Sequence, residues 1–190
     1  MYTLLSGLYE QHMRKDQFYI LILGLDDSGK TTLFERIRQE YTGKSNHVVP
    51  TVGLNMSSVP VQNVILTLWD LGGQQALQKL WASYYSQAHC VVFLVDATAP
   101  ARFAQVQTAF AAVLDGIHNI PVLLLANKMD SPDACSITDI QNVFNKVAVG
   151  MDARDSKVLA ISALNGDGIS AAVEWVITRV KGNATANPPV

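Results

Sequence analysis

The stretch Gly24-Leu25-Asp26-Asp27-Ser28-Gly29-Lys30-Thr31 decides how this chain is read. It follows an apolar run, Phe18-Tyr19-Ile20-Leu21-Ile22-Leu23, with the composition of a buried strand, and precedes a helical pattern over residues 32–41. A glycine-rich turn between strand and helix aims successive N–H groups and the helix N-terminus at one point, where an anion is stabilised. There Lys30 would neutralise β- and γ-phosphate oxygens, and the Thr31 hydroxyl would bind Mg²⁺. Asp26, Asp27, Ser28, Gly29 and Thr32 complete the candidate cradle. Similar turns also occur without a nucleotide, and the loop by itself does not choose between ATP and GTP.

The rest of the chain suits a single domain: 190 residues, 49% hydrophobic, enough for a sizeable core. A net charge of -2 offers no basic footprint for nucleic acid. No apolar run approaches the ~18–20 residues of a membrane span, and no leader pattern is present, so a soluble, intracellular protein is expected. Cys90 and Cys135 lack CxxC spacing and read as reduced thiols, and the four histidines form no metal pattern.

Along the chain, Met1, Leu5, Leu8, Tyr9 and His12 recur at helical spacing. Residues 1–16 are therefore expected to hold an N-terminal amphipathic helix, lying on a membrane or packed on the protein itself. Tyr2 excludes N-myristoylation, which needs glycine there. Residues 42–50 read as an exposed loop, and 54–61 and 64–70 as two strands joined at Gln62-Asn63. Helical patterns follow at 76–87, 101–118, 138–147 and 169–180, and apolar strands at 89–95, 120–126 and 157–162. Strands apolar on both faces, alternating with helices, predict an α/β fold with a mostly parallel sheet covered on both sides and one antiparallel edge. Residues 17–181 form the expected domain and 182–190 a disordered tail.

Three further motifs choose the base and the metal. Asn127-Lys128-Met129-Asp130 closes an apolar strand at the edge where open α/β sheets bind ligands. Asp130 can accept hydrogen bonds from guanine N1–H and N2–H₂, donors that adenine lacks; Asn127 would tie this loop to the phosphate loop, and the Lys128 stem would cover the purine. Ser162-Ala163-Leu164 ends the next strand, where the Ala163 N–H could donate to guanine O6. In Trp69-Asp70-Leu71-Gly72-Gly73-Gln74, Asp70 suits Mg²⁺, Gly73 frees a backbone N–H for the γ-phosphate, and Gln74 is placed to orient an attacking water. Thr51 is the second candidate hydroxyl on Mg²⁺. The catalytic set is thus Gln74, Lys30 and Thr51, and the metal set Thr31, Thr51 and Asp70. Two loops that depend on the γ-phosphate should order with GTP and loosen with GDP.

With these motifs in this order, residues 1–181 resemble the ARF family of small GTPases. The marks are Gly24-Leu25-Asp26, Pro50-Thr51-Val52-Gly53-Leu54-Asn55, the Trp69 to Gln74 run, Leu80-Trp81 with Tyr84-Tyr85, and Asn127 to Asp130. The opening residues and Glu174-Trp175-Val176 are most similar to its ARF-related branch. The resemblance implies a P-loop small GTPase fold with a six-stranded sheet, and a monomer that binds GTP or GDP with Mg²⁺ and hydrolyses GTP slowly. It implies an exchange factor, a GTPase-activating protein, and effectors that dock on an exposed triad falling here on Leu54, Trp69 and Tyr84. It also implies an N-terminal helix that leaves the body on GTP binding as the hairpin slides in register. That helix gives peripheral association with the trans-Golgi membrane from the cytoplasm, with an acetylated Met1 held by an integral Golgi protein in place of a lipid. Leu54 stands where Phe is usual, Asp27 and Ser28 replace small residues, and the loop before Thr51 is slightly longer. Two other readings stay open on the residues alone: a scaffold that keeps GTP without turnover, and an ATP-using P-loop enzyme.

Overall fold

A computed structural model describes residues 15–49, 51, 53–148 and 155–186; the expected amphipathic helix near the N-terminus lies outside the described residues except for Lys15 and Asp16 at its boundary. Six strands, β1 (Asp16–Gly24), β2 (Leu54–Val61), β3 (Val64–Leu71), β4 (Cys90–Asp96), β5 (Val122–Asn127) and β6 (Ser156–Ala160), form one sheet in the order β2-β3-β1-β4-β5-β6. Only β2 is antiparallel to its neighbour, paired with β3 across the turn at Gln62 and Asn63. Pro60, which cannot donate to a ladder, is therefore confined to an edge strand.

Both sheet faces are covered, and the period of two assigns each residue to one of them. On one side Ile20, Ile22, Leu66, Leu68, Val92, Leu94, Leu123 and Leu125 pack under α1 (Lys30–Thr42) and the C-terminal helix, here α5 (Ile169–Ala186). On the other, Leu21, Leu23, Val91, Phe93, Val95, Leu124 and Ala126 pack under α3 (Phe103–Gly116) and α4 (Ile137–Ala148). The helices present matching stripes, such as Val106, Phe110, Val113 and Leu114 of α3. At the start of α4, Ser136 Oγ accepts from Asp139 N (3.1 Å) and donates to Asp139 Oδ2 (2.6 Å), satisfying one of the N–H groups a helix start leaves open.

Three expectations are corrected. The single helix expected over 76–87 is split into a short turn, α2 (Gln75–Gln78), and a tighter three-residue-per-turn segment, Trp81–Gln87. The break follows from Trp81, whose ring packs on Phe93 in the core while its Nε1–H donates to Gly72 O at 3.1 Å. Of the expected tail, residues 182–186 continue α5 to Ala186, where Lys181 Nζ donates to Asn63 Oδ1 (2.6 Å), Asn183 Nδ2 donates to Asn119 O (3.3 Å) and Ala184 packs on the core; residues 187–190 lie outside the described residues.

Trp69 is the third. It is 6% exposed and lies between Tyr19 and Tyr84, with centroids 5.0 and 5.5 Å away, so it belongs to the core and not to an exposed triad. Tyr84 is partly buried and Leu54 exposed; the apolar surface nearby is contributed by Met56 (63% exposed), cross-strand from Trp69, and by Leu80.

Tyr19 also stacks on His89 (5.5 Å) and donates its N–H to His89 Nδ1 at 3.0 Å. Burial holds this imidazole below its usual range. The unfolded chain therefore takes up a proton at His89 before the folded one does, so this residue's contribution is complete above about pH 6.5 and is lost as pH falls below it. His89→Gln, which keeps an acceptor for Tyr19, should flatten the fall in urea midpoint between about pH 7 and pH 5; an unchanged slope would exclude His89 as a source of acid sensitivity.

Candidate nucleotide and metal site

Because five of the six strands run the same way, their carboxyl ends lie along one edge, and the loops that leave them meet there. They enclose a cavity of about 620 Å³ lined by the phosphate loop, Thr51, Gly72, Gly73, Gln74 and Lys128.

The phosphate loop leaves β1 at Gly24 and enters α1 at Lys30. Gly29 has φ 91°, and a Cβ there would lie 2.2 Å from Asn127 Nδ2, so glycine is required both for the turn and for close approach. Lys30 is 6% exposed; its Nζ donates to Leu25 O at 2.6 Å, and Ser28 Oγ donates to the same oxygen at 2.8 Å. Burial pushes the Lys30 ammonium down to about 8, against the opposing pull of Asp70. A cation stripped of water beside a cavity gains from any anion that enters it.

Thr31, Thr51 and Asp70 meet at one point. Both Thr31 Oγ1 and Thr51 Oγ1 donate to Asp70 Oδ2 at 2.8 Å, and the two hydroxyl oxygens lie 2.9 Å apart. Asn55 Nδ2 donates to Thr51 Oγ1 (2.9 Å) and Asp70 Oδ2 (3.3 Å). Asp70 is fully buried, and its other oxygen, Oδ1, has no protein partner. Orphaned buried carboxylate oxygens are costly, and this one sits in an all-oxygen donor set that fits a hard cation such as Mg²⁺. No group of three or more His, Cys, Asp or Glu is gathered among the described residues. The set therefore suits an ion that takes few carboxylates and fills its remaining positions with water and phosphate oxygens.

The loop after β3 closes on both parts. A Cβ on Gly73 would lie 2.4 Å from Leu25 C and 2.5 Å from Asp26 N, so this residue lies directly on the phosphate loop. Gly72 N donates to Gly53 O at 3.0 Å, which binds the loop to the segment carrying Thr51. Gln74 opens α2, is exposed, and lines the cavity.

At the other end Asn127 bridges two loops: its Nδ2 donates to Ser28 O (2.8 Å) and its Oδ1 accepts from Ala163 N (2.9 Å). The tie to the phosphate loop is as expected. The Ala163 N–H, expected to be available to a purine oxygen, is instead directed at Asn127 Oδ1. Lys128 has φ 66° and its Nζ lies 2.6 Å from Asp96 Oδ2, a partner that the sequence reading missed. Asp130 is exposed and Ser162 buried, and Leu164 is 65% exposed at this end of the site.

Sequence reading also missed Arg102. From the turn before α3, its Nη2 donates to Asp26 Oδ1 (2.6 Å) and its Nη1 to Asp26 O (3.2 Å), and this hydrogen bond holds the Asp26 carboxyl below its usual range. An arginine thus touches the phosphate loop, but it lies outside the residues that line the cavity. The two are 76 residues apart, and nothing local in either segment signals the pair.

This arrangement of phosphate loop, metal carboxylate and purine loop on one sheet edge is that of the small GTPases. Over residues 4–180 the chain matches the ADP-ribosylation factor family, and it belongs to that family. It is 42% identical to ADP-ribosylation factor-like protein 3 of Saccharomyces cerevisiae, over 100% of this chain and 99% of that protein. It is also 42% identical to human ADP-ribosylation factor-related protein 1, over 99% and 97%. Among solved structures it is similar to the Arl6 BBS3 small GTPase of Trypanosoma brucei with bound nucleotide analogue GppNp, with a TM-score of 0.79 at 26% identity, covering 88% of this chain and 99% of that one. The chain is accordingly a GTPase that binds GTP and GDP with Mg²⁺, which sets aside the reading as an ATP-using enzyme.

Gly73→Ala tests the closure. Its two nearest clashes are with backbone, so the loop must retreat and carry the Thr51 segment with it through Gly72. GTP affinity should fall about tenfold, the equivalent of one charge-assisted hydrogen bond, with GDP affinity little changed. Equal losses for both nucleotides would show that Gly73 does not distinguish them.

Proposed function

We propose that this protein is a GTP-dependent switch that cycles between GDP and GTP states and recruits effectors to Golgi membranes in vesicle traffic. The carrying observation is the meeting of Thr31, Thr51 and Asp70 within 2.9 Å, which brings the loop after α1, the phosphate loop and β3 to one ion site. A γ-phosphate would add its own oxygens there, so its loss would loosen the segments holding Thr51 and Gly73. In this reading Lys30, Ser28, Gly29, Thr31 and Thr32 hold phosphates, and Asn127, Lys128, Asp130, Ala163 and Leu164 hold guanine. Leu164 offers the base an apolar side chain already in solvent.

Hydrolysis is a water attacking the γ-phosphorus, with the bond to the β-phosphate oxygen breaking. Thr31, Thr51 and Asp70 would hold Mg²⁺, which would neutralise charge on the phosphates. Gln74 orients the water, and Lys30 stabilises charge on the β- and γ-oxygens. No arginine lines the cavity among the described residues, so turnover is slow until an activating protein supplies one, an effect of ~10³–10⁵ in related enzymes. An exchange factor would release GDP.

Effectors would meet the surface of Leu54, Met56, Leu80 and Tyr84, with Trp69 supporting it from beneath. Membrane association is assigned to the segment before Lys15, through an acetylated Met1 and an integral Golgi protein. A groove of about 990 Å³ beside the start of β1, between His89 and the end of α5, supports docking of that segment in one of the two states.

The test is single-turnover conversion of bound GTP to GDP, after loading with Mg²⁺ in the presence of competing ATP. Stable GTP uptake with slow GDP formation is expected, and Gln74→Leu should slow it further. Rapid unassisted hydrolysis would refute timing by a partner, whereas no turnover with any activating protein would favour a permanently GTP-bound scaffold.

A further inference from the structure

Arg36 lies on α1, six residues beyond Lys30, and reaches across to the loop after β6. Its Nε donates to Ala163 O at 3.3 Å and its Nη2 donates to Leu164 O, so one guanidinium holds two successive carbonyls. The same loop is held from its other side, where the Ala163 N–H donates to Asn127 Oδ1. Within the loop, Gly166 N donates to Ser162 O (2.8 Å) and Asn165 N to Ser162 Oγ (3.0 Å), and Gly166 has φ 97°. The turn is therefore compact, and what Arg36 adds is the direction in which it faces.

We propose that Arg36 is a positioning residue for guanine recognition, acting through the backbone of Ala163 and Leu164. This rests on the reading of residues 162–164 as part of the base site. A guanidinium is suited to the task because its planar fork presents parallel donors to two acceptors, where an ammonium would serve as a single point charge. The Ala163 carbonyl lies in the same peptide plane as the Leu164 N–H, so by holding it Arg36 sets the direction of that N–H, the donor this turn can offer to guanine O6. By holding the Leu164 carbonyl it sets the place of the Leu164 side chain.

The contact also completes a circuit. Ser28 of the phosphate loop is bonded to Asn127, Asn127 to Ala163, and Ala163 to Arg36, which returns along α1 to Lys30. Base end and phosphate end are thus joined by two routes, one through the Asn127 amide and one through helix α1. A partner that pulls on α1 or the phosphate loop would loosen the grip on the base as well.

The docking of α1 does not depend on Arg36. Leu33, Phe34 and Ile37 are buried in the core, and Glu40 Oε1 accepts from Ser170 Oγ at 2.9 Å, a second tie between α1 and the start of α5. Removing Arg36 therefore tests the loop contact rather than the helix.

The experiment measures release of GDP and of 6-thioguanosine diphosphate from the full chain with Mg²⁺. The analogue keeps N1–H and the 2-amino group and replaces oxygen 6 with sulfur, a poorer acceptor. Arg36→Met should speed GDP release about tenfold, the scale of a lost charge-assisted hydrogen bond, and bring the ratio of the two release rates towards one. Arg36→Lys, the milder change if the methionine variant folds poorly, should lie between it and the parent. Unchanged GDP release would overturn the proposal. So would equal acceleration of both nucleotides, since a general loss of structure would leave the ratio unmoved.

A control separates this from the base-site reading. Asp130→Asn should shift preference from GDP to xanthosine diphosphate, whose 2-oxo group accepts from the new amide. Failure there refutes the assignment of the base site, whatever Arg36 does.

Discussion

Everything at the site depends on the hydrogen-bonded ladders on the two sides of β1. With β3 on one side and β4 on the other, β1 sets the level at which each neighbour ends: Ile22 stands opposite Asp70, and Gly24 opposite Leu94. The next ladder carries the alignment outward, with Asp96 opposite Asn127. Residues far apart in the chain therefore reach the same edge because their strands share one register. The loops supply the chemistry, but the sheet sets where they begin.

The site also shows what a ligand-binding centre gives up in stability. Lys30 and Asp70 are opposite charges taken out of water beside one cavity, and Asp70 keeps an oxygen with no protein partner. Apolar residues there would suit the fold better, since buried ions recover their hydration only with good geometry and further partners. A nucleotide and its cation provide such partners, so binding and folding stability are linked at these residues.

Much of this was legible in the sequence. Apolar runs between turn signals marked the strands and the hairpin joined at Gln62-Asn63; in the fold Val64, Leu66 and Leu68 face one core layer, while Trp69 and Leu71 face the other. The phosphate loop and the Asn127 tie were readable because each is a local pattern with a physical reason. What escaped were contacts fixed only by tertiary approach. Arg102 on Asp26, Lys128 on Asp96 and Arg36 on the Ala163 carbonyl join residues whose own segments say nothing of their partners. Trp69 and Trp81 escaped differently: an aromatic at an amphipathic position suits surface or core, and only the rings stacked around it decide.

The alternation along β3 has one more consequence. Moving a strand by one residue would turn Trp69 and Leu71 into the layer of Leu66 and Leu68, so any travel of the hairpin along β1 must come in steps of two. Two residues are about 6.6 Å, far beyond the reach of a hydrogen bond or a metal–oxygen bond. Asp70 rides on that strand, so the ion site and the hairpin share a single, discrete coordinate. Any such travel would work like an escapement, advancing by whole teeth with no half-assembled site held between them.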